Sequence, residues 1–121
     1  MSHVKQFEDL QIWKDSRIIV GDVYKLTSSN DRISRDFGFK DQLHRAAVSV
    51  MNNIAEGFER DGDTSFKQFL GYSKSSCGEV RSMIYLAKDL GYIKTEEADD
   101  LINRLKVLSK QIYSLMKYLN D

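Results

Sequence analysis

The stretch Gln42–Arg60, QLHRAAVSVMNNIAEGFER, decides the fold. Leu43, Ala47, Val50, Met51, Ile54 and Phe58 recur at spacings of three and four, which places them on one face of an amphipathic helix. The opposite face carries Arg45, Ser49, Asn52, Asn53 and Glu56, mostly short or amide side chains that suit a packed polar contact better than open solvent. The helix is expected to run out at Gly57 and give way to the turn Arg60-Asp61-Gly62-Asp63. Buried charges persist only when paired. Arg45, Asn53 and Glu56, joined by Glu79 from the next helix, therefore form a candidate hydrogen-bonded network with a structural role.

Outward from this segment, three more helices are expected. One spans about residues 9–26, where Leu10, Trp13, Val20 and Tyr24 interleave with Ile12, Ile19, Val23 and Leu26. Together these cover roughly 200° of arc, twice the ~100° stripe of a one-sided helix, so this helix needs two neighbours. Thr27-Ser28-Ser29-Asn30-Asp31 ends it with turn-forming residues. The connection onward to about residue 39 is long for a bundle, and is either mobile or docked on a neighbour. The quoted helix covers about 39–57. The next spans 64–90, capped by Thr64 or Ser65, with Phe66, Phe69, Leu70, Ser73, Ser76, Cys77, Val80, Met83, Ile84 and Ala87 inward and Gly91-Tyr92 as its stop. The last spans 95–119, capped by Thr95, with Glu96 and Glu97 in the anion-favouring first turn. Its Leu101, Leu105, Leu108, Ile112, Leu115 and Leu119 keep strict four-three spacing, a bundle seam. The expectation is an all-α, up-down-up-down, left-handed four-helix bundle forming one domain over residues 1–121. Its core draws on Trp13, Val20, Leu43, Val50, Ile54, Phe69, Val80, Ile84, Leu105, Leu108 and Ile112.

Composition agrees. There is no proline among 121 residues, and proline inside a helix costs about 3 kcal/mol. A single cysteine excludes an internal disulfide framework. No apolar run approaches the ~20 residues of a membrane span, and Val4-Lys5-Gln6 leads directly into the first helix, so a cytoplasmic protein without a membrane partner is expected. Eighteen basic residues balance eighteen acidic ones. A dedicated nucleic-acid binder usually carries a basic excess, so any such binding here must come from charge arrangement.

Catalytic and metal chemistry find little footing. His3 and His44 cannot make a metal site without carboxylate help, and no Glu-x-x-His pair of the di-iron bundles occurs. His44 reads as a packed, hydrogen-bonded histidine and Cys77 as a small core residue. With no phosphate-cradling glycine loop and no nucleophile–base set, the expectation is no enzyme, no cofactor and no metal.

Two surface features stand out. Lys67, Lys74, Arg81 and Lys88 repeat every seven residues, so a supercoiled helix keeps them on one line about 31 Å long, a candidate phosphate track. Lys106, Lys110 and Lys117 make a shorter second row. On the same helix as the first row, Gly71, Ser75, Gly78 and Ser82 lie together away from the core stripe. Glycine inside a helix costs up to about 1 kcal/mol relative to alanine, so two on an outer face suggest close approach of another subunit. With the wide apolar face of the first helix, this points to a homo-oligomer.

The run Gln42-Leu43-His44-Arg45-Ala46-Ala47, then Ser49 and Asn53-Ile54-Ala55-Glu56-Gly57, resembles the signature of the bacterial four-helix-bundle proteins found within intervening sequences of 23S ribosomal RNA genes. The likeness extends over nearly the whole chain. Phe7, Asp9-Leu10 and Trp13 match the family's opening; Phe66, Phe69-Leu70, Ser76 and Glu79 match its third helix, and Leu90-Gly91-Tyr92 the turn into the fourth. Many members have a proline about where Met51 stands, so a kink there is not expected here. The resemblance implies a closed ring of five subunits, which suits a bundle offering two different faces. It also implies a non-enzymatic scaffold associated with RNA or DNA, because other relatives look like the accessory proteins of reverse transcriptases in diversity-generating retroelements. Those accessory proteins are strongly basic, whereas this chain is neutral. The alternative is a protein-only assembly module.

Overall fold

A computed structural model describes residues 3–119. They form an all-α bundle of four long helices and one short one: α1 (Gln11–Ser28), α2 (Asp31–Arg35), α3 (Phe37–Glu59), α4 (Asp63–Asp89) and α5 (Thr95–Leu119), preceded by a 3-10 turn at Phe7–Asp9. Each long helix packs on the next, and α1 closes the bundle against α5 through its thinnest seam. Cross-helix partners set the directions. Along α4 and α5, Gly71 lies against Met116, Cys77 against Leu105 and Lys88 against Asp99, so the two run antiparallel. Gln42 with Glu79, Ser49 with Ser76 and Val50 with Ser73 do the same for α3 and α4.

The core follows the sequence periodicities closely. Leu43, Ala47, Val50 and Ile54 of α3 are buried, as are Leu70, Cys77, Val80, Ile84 and Ala87 of α4. In α5 the seam holds at Leu101, Leu105, Leu108, Ile112 and Leu119, while Leu115 is only half-buried. Trp13 and Phe69, expected inside, are also half-buried: each packs at the rim, Trp13 edge-on to Phe7 and Phe69 edge-on to Tyr72. In α1, Ile12, Ile19, Val20 and Val23 face inward, but Tyr24 lies outside.

The helix boundaries shift by one or two residues. α1 covers Gln11–Ser28 rather than 9–26: Leu10 is extended ahead of it, and Thr27 and Ser28, expected to end the helix, continue it with their hydroxyls bonded back to the Tyr24 and Lys25 carbonyls. α3 starts at Phe37, because the Asp36 carboxylate accepts the Phe39 amide and caps the helix earlier than expected. It also continues past Gly57 to Glu59. At α4 the helix opens at Asp63 behind Gly62, whose φ of 87° only glycine adopts easily, so neither Thr64 nor Ser65 is the cap. Similarly Thr95 is the first residue of α5, and the Ala98 amide already bonds to the carbonyl of Lys94.

The long connection is docked. Its α2 turn is capped by the Asn30 side chain, which accepts from the Ile33 amide at 3.0 Å, and Ile33 is fully buried. The α4–α5 turn clasps it. Gly91, at φ 70°, ends α4 in a Schellman motif, with Gly91 N–H on Lys88 and Tyr92 N–H on Ala87. Asn30 then donates to the Tyr92 carbonyl, Arg32 donates to the Gly91 carbonyl and stacks over the Tyr92 ring, and the Tyr92 hydroxyl donates to Asp36 at 2.8 Å. Leu90-Gly91-Tyr92 is thus a structural clasp between distant turns.

Candidate nucleic-acid interface

The seven-residue row of α4 lies on the flank that faces α5. Lys67, Lys74, Arg81 and Lys88 are all half-buried. Lys74 places its ammonium 5.8 Å from the centre of the Tyr113 ring, and Lys88 bonds to Asp99 at 2.9 Å, both across to α5. The Asp99 bond raises the Lys88 pKa above its ordinary value, so that cation is already committed. Among the described residues no carboxylate lies within ion-pair distance of Lys67, Lys74 or Arg81.

The α5 row completes the face. Lys106, Lys110 and Lys117 are exposed, and they too have no ion-pair partner among the described residues. Tyr113 falls in the same stripe, at the four-three-four spacing Lys106, Lys110, Tyr113, Lys117, and the Lys117 ammonium is also 5.8 Å from its ring centre. Tyr113 is not among the expected site residues, although it shares the spacing that marks the lysines. A cleft of about 430 Å³ between the helices is lined by Lys74, Ser109, Lys110, Tyr113 and Ser114. From Thr64 to Gly78 on α4 and from Asn103 to Leu119 on α5 there is no acidic residue. The acids of α5 gather in its opening at Glu96, Glu97, Asp99 and Asp100. A neutral chain therefore presents one face of unneutralised cations.

The small residues occupy the outer side of α4. Ser75 and Ser82 are exposed, and Gly71 and Gly78 half-buried. A Cβ on Gly71 would make only an ordinary contact with the Met116 methyl at 3.6 Å, and one on Gly78 would meet nothing within 4 Å, so packing within the subunit requires neither glycine. A separate apolar groove runs along the α1–α5 seam, where Ile18 and Val107 are 56% and 55% exposed.

The expected network of Arg45, Asn53, Glu56 and Glu79 does not form within the subunit. Arg45 pairs with Asp41 one turn back, Glu56 accepts from Arg60, and Glu79 accepts from Gln42. Asn53 donates to Ser49, whose hydroxyl meets Ser76 at 2.8 Å. The charged members lie too far round the helix to be desolvated: Arg45 and Asp41 keep 80% and 65% of their side-chain surface. The polar contacts inside the α3–α4 packing are instead neutral and small, Ser49–Ser76 with Ser73 donating to the Val50 carbonyl, while the Gln42–Glu79 bond stays at the exposed edge. His44 is packed and bonded, stacked on Tyr24 at 3.9 Å and 2.7 Å from the Thr27 hydroxyl. Cys77 is a core thiol whose S–H meets the Leu105 carbonyl, and burial pushes its pKa up to about 11. No group of residues suited to holding a metal ion occurs among the described residues.

The family model described as 23S rRNA-intervening sequence protein matches residues 8–114. The chain belongs to this family. It superposes with a TM-score of 0.79 on a protein of unknown function from the S23 ribosomal protein family of Bacteroides thetaiotaomicron, at 19% identity over 88% of this chain and 98% of that one. That likeness establishes the fold. No curated protein matches the chain significantly. Gly91, Ser49, Asn53 and Ser76 of this chain are all occupied by hydrogen bonds within the subunit. Among the described residues no helix is long and apolar enough to cross a membrane.

Proposed function

We propose that this protein is a non-enzymatic, cytoplasmic homo-oligomeric scaffold that holds RNA or DNA along its α4–α5 face. The observation that carries this reading is the band of cations without an ion-pair partner among the described residues, Lys67, Lys74, Arg81, Lys106, Lys110 and Lys117, on a chain of zero net charge; only Arg81, with Glu79 nearby in sequence, lies outside the acid-free stretches. Phosphate neutralisation is what such a run of unpaired cations does best. Of the seven-residue row, Lys88 is the weakest contact because Asp99 already holds it. Family membership supports the same direction, since the members take their name from 23S ribosomal RNA genes. A ring of subunits, five as the family resemblance implies, would set several such bands side by side.

The test is an electrophoretic or anisotropy titration against structured RNA and single-stranded DNA at ~50 mM salt, where phosphate contacts are strong. Affinity should fall with salt by about 0.7–0.9 in log–log slope per phosphate neutralised. Lys74→Glu with Arg81→Glu should abolish binding while leaving helicity and oligomeric state unchanged. No binding by the wild-type protein would end this reading. The protein-only assembly module would then be preferred, and the exposed Ile18–Val107 groove with the unfilled surface at Gly78 favours it.

A further inference from the structure

The cations of the α4–α5 face surround an aromatic ring, and that arrangement has a narrower use than attraction to phosphate. Tyr113 is 50% exposed and stands at the mouth of the 430 Å³ cleft, with Lys74 on one helix and Lys117 on its own helix equally distant from its centre. Lys110 and the hydroxyls of Ser109 and Ser114 line the same cleft. A polynucleotide duplex offers its phosphates but keeps its base faces stacked on one another, so an exposed tyrosine adds nothing to duplex binding. A single strand offers both a phosphate chain and free base faces.

Building on the nucleic-acid reading above, we infer that this cleft is a single-strand site, in which an unpaired base stacks on the Tyr113 ring while Lys74, Lys110 and Lys117 take the adjoining phosphates. The two ammonium groups over the ring do not block it. An exposed cation–π contact is worth about 0.5–1 kcal/mol, whereas a stacked base contributes about 1–3 kcal/mol. The flexible lysines exchange the ring for a phosphate and lose little. The Ser109 and Ser114 hydroxyls in the cleft lining supply donors and acceptors to whichever base edge arrives, so the site tolerates any base. The ligand class is therefore a sequence-independent single strand of RNA or DNA.

The experiment compares the wild-type protein with Tyr113→Leu, Tyr113→Phe and Lys74→Glu/Lys110→Glu, using labelled oligouridylate and oligothymidylate of about 12 nucleotides, within the usual span of such sites. A duplex of the same length is the control. Tyr113→Leu should weaken single-strand binding roughly 5- to 150-fold, the equivalent of one stacked base. It should leave duplex binding unchanged, and Tyr113→Phe should restore the wild-type affinity. The charge-reversal pair should remove binding to both. If Tyr113→Leu binds the single strands as the wild type does while the charge reversal binds neither, stacking is overturned and the phosphate-contact reading stands. If the wild type binds duplex more tightly than single strand, the single-strand site is overturned. If it binds none of the three probes, both readings fall together.

Discussion

Gly57 faces Phe69 with no room for a side chain between them: a Cβ on Gly57 would stand 2.6 Å from the Phe69 Cβ and 3.3 Å from the Phe66 carbonyl oxygen. Both obstacles are rooted in the α4 backbone, so neither can swing away. The glycine lets α3 and α4 approach closely near the turn that joins them. Overpacking costs about 1–3 kcal/mol, more than the up to ~1 kcal/mol that alanine gains in helix propensity. Gly57→Ala should accordingly be destabilising, and Gly57→Leu more so, in urea unfolding monitored by circular dichroism. An alanine variant as stable as the wild type would show that the helices separate without penalty.

Leu108 tests the seam of α5. It is 1% exposed, and Leu108→Ala should cost about 2–5 kcal/mol of unfolding free energy. A loss below about 1 kcal/mol, with the oligomeric state unchanged, would place the seam elsewhere.

The thiol of Cys77 should be silent in the native protein. Its pKa of about 11 leaves almost no thiolate near pH 8, and the side chain is shut between α4 and α5. Labelling by a disulfide reagent at that pH should proceed only as fast as the bundle opens, and should accelerate steeply in denaturant. Rapid stoichiometric labelling under native conditions would contradict this placement.

His44 should make the fold sensitive to mild acid. Burial, reinforced by the Lys40 charge, lowers its pKa below the ordinary 6.5, with Asp41 opposing. The unfolded chain therefore takes up the proton first. Stability from this group is full above about pH 6.5 and is lost as pH falls toward the depressed folded value. His44→Gln, which keeps a hydrogen-bonding group near Thr27, should lose less stability than the wild type between pH 7 and pH 5. Parallel pH profiles for the two proteins would count against it.

Gly78 separates assembly from folding. Because a Cβ there meets nothing within 4 Å in the subunit, Gly78→Leu should leave the helix as stable or slightly more so. If α4 meets another subunit at Gly71, Ser75, Gly78 and Ser82, the same substitution should shift light-scattering mass toward 14.0 kDa monomers. An oligomer unaffected by leucine would move the contact to another face, and a wild-type monomer at micromolar concentration would remove it altogether.

The long helices were legible because each carries many apolar positions at one period: the six seam residues of α5 located that helix within a residue at either end. The connector was not, since Ile33 is a lone apolar residue in a polar stretch and a single position has no periodicity. Depth was the harder matter. Periodicity tells which face Arg45 and Glu56 share, but not how far that face is covered, and the simpler partners one turn away, Asp41 and Arg60, were already in the sequence. For the candidate site, the spacing of the lysines was readable while the capture of Lys88 by Asp99 was not, because it depends on how α5 is registered against α4.

The clasp at Tyr92 has a consequence for how the chain reaches its fold. α3, α4 and α5 are joined by short turns and can pair from local contacts, which favours rapid formation. The α1–α3 crossover, by contrast, is capped locally by Asn30 and Asp36 but gains its long-range bonds, from Asn30 and Arg32 and to Asp36, only when residues 91–92 are in place, some sixty positions downstream. α1, the first of these helices in chain order, is therefore expected to be the last to settle, completing its seat only after the α4–α5 turn has closed. Amide exchange should show the inverse order on opening, with α1 released ahead of the α3–α4 pair.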